Sequence, residues 1–61
     1  MTKYNLKTEI RVWDAEKNRY VSRTRTAPFP LDFEHLFEKM RIQLEMYDPM
    51  QVRFTVSIAN P

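Results

Sequence analysis

A chain of 61 residues with no cysteine and a single histidine has no staple with which to hold a small fold together. Domains of this size bury only about 60% of their unfolded surface and usually recruit disulfides, a metal or a second subunit. Disulfides and thiolate metal sites are excluded by composition, and one histidine does not make a histidine-rich metal site. Two routes remain: an efficient core, or self-association. Four Phe, four Met, three Tyr and one Trp supply large side chains for either.

The absence of glycine narrows the functions as sharply as the absence of cysteine narrows the fold. Glycine-rich phosphate loops, dinucleotide fingerprints and glycine-flanked nucleophile elbows all need residues that this chain lacks. No charged-then-apolar leader follows the opening MTKYNLK, and no apolar run approaches the ~20 residues needed to cross a bilayer. The sequence reads as one small domain over residues 1–61, soluble and cytoplasmic, without contact to a membrane.

Hydrophobic alternation places the strands. From Tyr4 to Trp13, Leu6, Thr8, Ile10 and Val12 share one face while Lys7, Glu9, Arg11 and Trp13 share the other, the pattern of a half-buried strand. Asp14 to Asn18 is polar and forms the turn, with Asn18 the residue best able to take the left-handed conformation. Arg19 to Thr26 is the return strand, rich in Thr, Tyr and Val. Its facing depends on loop length. A three-residue loop (Glu16, Lys17, Asn18) sets Val21, Arg23 and Arg25 on the outer face with Trp13 and Arg11. A four-residue loop turns the two arginines toward the helix side. Burying unpaired arginine is costly, so the three-residue loop is expected.

Ala27-Pro28-Phe29-Pro30 ends the second strand. Asp32 is the expected N-cap of a helix running to Tyr47, with Glu34 in the first turn and Leu31 and Leu36 at hydrophobic-staple spacing. Phe33, Leu36, Phe37, Met40, Leu44 and Tyr47 form a stripe at helical spacing. After Pro49, Gln51 to Ala59 alternates again, with Val52, Phe54, Val56 and Ile58 inward. The order ββαβ predicts an α+β two-layer sandwich: a three-stranded antiparallel sheet, order 2-1-3, with one helix on one face. The expected core is Leu6, Ile10, Val12, Phe33, Leu36, Phe37, Met40, Leu44, Val52, Phe54, Val56 and Ile58.

Charge divides along the same lines. Residues 1–27 carry seven Lys or Arg against three acids, and residues 28–51 carry five acids against two bases. The hairpin layer is basic and the helix acidic, so an acidic partner meets the sheet. The binding residues expected on that outer face are Arg11, Trp13, Arg23, Arg25 and Arg53: arginines for paired hydrogen bonds to phosphate or carboxylate, and one indole for stacking. The alternative for the face is a solvated polar surface, which an open sheet needs in any case. Trp13 also fits a purely structural role, covering its cross-strand neighbour. His35 lies one turn from Asp32 and Glu38, but one imidazole and two carboxylates on an exposed helix read as a solvated terminus, not a metal site.

No nucleophile is paired with a base, so the expected function is non-enzymatic, with no metal and no cofactor. Two readings follow: a small regulatory protein that contacts nucleic acid through the basic sheet face, or a protein-interaction module, an inhibitor or adaptor of the kind mobile elements encode, using that face or the helix. A net charge of only +2 weighs against the first. A homodimer is expected as well. The third strand is a lightly charged apolar edge, which proteins normally pair or cover, and Ile42 and Met46 form a second apolar stripe on the helix.

Overall fold

A computed structural model of the protein describes residues 2–59. In chain order the elements are β1 (Lys3–Asp14), β2 (Arg19–Thr26), α1 (Phe33–Met46), a single 3-10 turn (Pro49–Gln51) and β3 (Val52–Ala59). The strands form one antiparallel sheet in the order β2-β1-β3, and the fold is the ββαβ α+β arrangement expected from the alternation.

Local chemistry sets each boundary. Asn18 takes the positive φ of 54° expected of it. The Asp32 carboxylate accepts from the backbone N–H of His35 at 2.9 Å and caps α1. Asp48 and Gln51 form a reciprocal capping box on the 3-10 turn, and the Gln51 side-chain amide donates to the carbonyl of Arg11 at 3.1 Å. That bond ties the start of β3 to β1. Tyr4 and Leu31 exchange two backbone hydrogen bonds of 2.7 and 2.8 Å, so the proline-rich connector returns alongside β1 before the helix begins.

The hairpin register corrects the expected loop. Asp14 pairs with Arg19, Trp13 with Tyr20, Val12 with Val21 and Ile10 with Arg23. The loop therefore holds four residues, Ala15 to Asn18. The cause lies in Asp14, whose carboxylate accepts from the N–H groups of Glu16 at 3.0 Å and Lys17 at 3.2 Å and so fixes the turn one residue earlier. Since a slip of one residue reverses every side chain, Arg23 and Arg25 lie on the helix-side face and Tyr20 joins Trp13 on the outer face. The cost that argued against this arrangement is not incurred. Twelve residues of β1 span about 40 Å, against about 21 Å for the fourteen of α1. β2 is an edge strand and the far half of the hairpin runs past the helix, and both arginines are exposed.

The expected core is only partly formed. Leu6 (3% exposed) and Leu36 (6%) are the buried apolar residues among those described, with Thr8 beside them, and Ile10, Val12, Met40, Val52 and Phe54 are half-buried. Phe33, Phe37 (61%), Leu44, Val56 and Ile58 (69%), all assigned to the core by periodicity, are exposed. The line of α1 that meets the sheet is Leu36, Met40, Gln43 and Tyr47. Phe33, Phe37 and Leu44 lie roughly 80° round the helix from that line. They form the flank of a stripe too broad for a three-stranded sheet to cover.

Candidate binding surface

The outer face of the sheet is built from alternate residues of all three strands. β1 contributes Lys3, Lys7, Glu9, Arg11 and Trp13; β2 contributes Tyr20, Ser22 and Thr24; β3 contributes Arg53, Thr55 and Ser57, in register with Glu9, Lys7 and Asn5. Four bases thus share this face with Glu9.

Trp13 and Tyr20 sit opposite one another with ring centroids 5.1 Å apart and planes at 76°, the edge-to-face geometry that the aromatic quadrupoles favour. Both remain about half exposed, at 53% and 54%. The Arg11 guanidinium lies 5.3 Å from the centre of the Tyr20 ring, a cation–π contact from the diagonal cross-strand position. Next to this cluster a shallow cavity of ≈ 370 Å³ is lined by Glu9, Arg11, Tyr20, Ser22, Gln51 and Arg53, among others. One guanidinium is held over an aromatic ring, a second lies one strand away, and a half-exposed indole closes the hairpin end. The arrangement can stack a planar group and pair with an anion beside it.

Of the five residues assigned to one binding face, the structure brings Arg11, Trp13 and Arg53 together and separates Arg23 and Arg25 from them. Arg25 instead lines a cavity of ≈ 350 Å³ between the helix and β2, with Leu6, Pro28, Lys39 and Ile42 among its other walls. Ile42 faces that cavity, and Met46 is exposed farther along the same flank. Tyr20 was missed in the sequence because its facing depends on the loop. The available signal was Asp14, a turn-capping residue directly ahead of the loop.

The helix surface is organised by its own ion pairs. Arg41 donates to Glu38, with one bond of 3.3 Å and a second, shorter one, and to Glu45 at 2.7 Å. The Arg41 hydrogen bond holds the Glu38 carboxyl below its ordinary range, and Glu38 in turn raises Arg41. The His35 ring Nδ1 lies 2.8 Å from the Asp32 carboxylate. Asp32 is held below the usual carboxylate range, first by the backbone N–H of His35 and then by its ring. Both residues act in capping the helix. Among the described residues no three His, Asp or Glu side chains gather at metal-binding distance, and no helix is long and apolar enough to cross a membrane. No protein-family model, curated protein or solved structure matches the chain.

Proposed function

We propose that the protein is a small non-enzymatic binding module that holds single-stranded nucleic acid on the outer face of its sheet. The observation that carries this reading is the Trp13–Tyr20 pair with Arg11 packed on it and Arg53 beside it. Single strands are bound by aromatic side chains on which bases stack, next to cations that follow the backbone. Trp13 supplies the stacking surface and Tyr20 orients it. Arg11, Arg53 and Lys7 meet phosphates. The acidic helix lies on the opposite side of the sheet and stays clear of the bound strand.

A second reading has its own support. Glu9 sits in register with Arg53 and lines the same cavity as both arginines, which weakens the field that a phosphate chain meets. Trp, Tyr and Arg are also the residues most enriched at protein–protein hot spots. In this reading the face binds an acidic protein segment.

Salt dependence separates the two. Fluorescence anisotropy of a labelled single-stranded oligonucleotide should show log K falling linearly with log salt, by roughly 0.7 for each phosphate neutralised. Arg11→Ala and Arg53→Ala should each flatten that slope by about one phosphate's share. Failure of single strands of any base composition to bind at low salt removes the nucleic-acid reading. Retrieval of a protein by the nuclease-treated wild type, lost with Trp13→Ala, would establish the other.

A further inference from the structure

We infer that the folded unit is a two-fold dimer, in which β3 pairs antiparallel with β3 of a second copy and the helix flank carrying Phe33, Phe37 and Leu44 packs against the same flank of its partner. The inference stands on the helix side of the sheet and does not depend on what the outer face binds.

A compact monomer of 7.5 kDa exposes about 4,250 Å², whereas this chain exposes 5291 Å². The excess is roughly 1,000 Å². Standard interfaces cover about 800 Å² per partner, so the surplus is the amount a stable dimer needs to bury.

Part of the exposed apolar surface is gathered on one flank of the molecule. Lys39 and Ile42 line the cavity toward β2, so the opposite flank of the helix, with Phe33, Phe37 and Leu44, overhangs β3. There Phe33 stacks on Phe37, with centroids 6.4 Å apart, and meets the edge of Tyr4 at 6.5 Å. Tyr4 is the register partner of Ile58, and Leu6 that of Val56. Helix flank and strand edge therefore make one apolar shelf. The nearest helix charge, Arg41, is engaged by Glu38 and Glu45.

A second copy fits this shelf by symmetry. β3 is an edge strand whose outward backbone groups are unpaired among the described residues, and its only charge, Arg53, points to the outer face. Antiparallel pairing about a two-fold axis normal to the sheet places both helices on the same side. Centred on a residue, it keeps Val52, Phe54, Val56 and Ile58 on one face in both copies. At ~4.8 Å per strand, β1 and its symmetry mate lie about 14 Å apart and the β1–β3 midlines about 10 Å apart. Helices pack at 8–10 Å, so the paired Phe and Leu flanks fill the space between them. The result is a six-stranded sheet with one continuous core. Ile42 and Met46, on the other flank, take no part in it.

The test uses the whole chain, which has no native cysteine. Sedimentation equilibrium should give twice the chain mass. A monomer at every concentration up to millimolar overturns the inference. Of Thr55→Cys and Val56→Cys, introduced singly, one should oxidise to a covalent dimer, because only the residue on the two-fold faces its own copy, at ~4.5–5.5 Å, a distance a disulfide spans. Thr24→Cys, on the β2 edge, should not. A dimer that cross-links through Thr24→Cys and through neither β3 variant, or that dissociates in Ile42→Asp and persists in Ile58→Asp, would also overturn it, since the copies would then meet elsewhere.

Discussion

Trp13 is the only tryptophan in the chain, which makes its surroundings directly readable. Its ring packs edge-to-face on Tyr20, and such pairs contribute about 0.5–1.5 kcal/mol beyond their buried area. Tyr20→Ala should therefore destabilise the hairpin end by about that amount and shift the Trp13 emission, which chemical denaturation and fluorescence together would show. Trp13→Ala should also weaken single-strand binding by about 1–3 kcal/mol, the usual contribution of one stacked base, while sparing the salt slope. Asp32 gives a residue-scale prediction about pH. Its carboxyl titrates below its ordinary range because the charged form accepts the His35 N–H. A lowered folded-state pKa contributes stability that is fully present above the unfolded value, near pH 4, and is lost as pH falls through the folded value. Asp32→Asn keeps a capping oxygen that does not titrate. Between pH 5 and pH 2, the melting temperature of the wild type should fall more than that of Asp32→Asn; equal falls would show that the cap does not govern the acid limb.

At the scale of elements, the alternation of β1 and β3 and the cap-to-proline span of α1 were legible because each is written locally, in side chains a few residues apart. The hairpin register was not. It turned on whether Asp14 ended the strand or began the loop, and two hydrogen bonds from its carboxylate decided that. The helix covers the helix-side face only in part: β2 is an edge strand, and β1 is about twice the length of α1. The separation of Arg23 and Arg25 from Arg11, Trp13 and Arg53 follows from that one turn, so the candidate site was legible only in the part that β1 and β3 supply. Asp14→Ala removes the turn's acceptor and should loosen the hairpin end, read as faster amide exchange at Lys17 and Asn18 and altered Trp13 fluorescence. The helix is held differently. Leu36 is its buried residue among those described, and truncation of a buried leucine costs about 2–5 kcal/mol. Leu36→Ala should therefore remove most of the stability of so small a fold, whereas Ile42→Ala, on an exposed flank, should change it by less than about 1 kcal/mol. Urea titrations of the two variants make the comparison.

At the scale of the whole molecule, the sequence pattern and the single chain disagree in an informative way. Periodicity assigns Phe33, Phe37, Leu44, Val56 and Ile58 to a core, and the chain leaves all of them exposed. In the proposed dimer, pairing across β3 covers the surfaces that the single chain leaves open. The disagreement has a thermodynamic consequence. If unfolding converts one dimer into two free chains, mass action raises the melting temperature with protein concentration. Each tenfold increase adds about 1.4 kcal/mol per dimer at 25 °C. With an unfolding entropy of ~2.1 cal/mol/K per residue over two chains of 61 residues, the melting temperature should rise by roughly 5–6 °C per decade. Phe37→Ala separates the contributions further. Phe37 is 61% exposed in the single chain and would be covered in the proposed pair, so its truncation should act mainly on association. The variant should melt lower than the wild type at equal concentration, by an offset that rising concentration does not close. Calorimetry over two decades of concentration measures both slopes. A flat wild-type slope, with Phe37→Ala melting at the wild-type temperature throughout, would mean that the apolar shelf is solvent-facing in the working protein and that the chain folds alone.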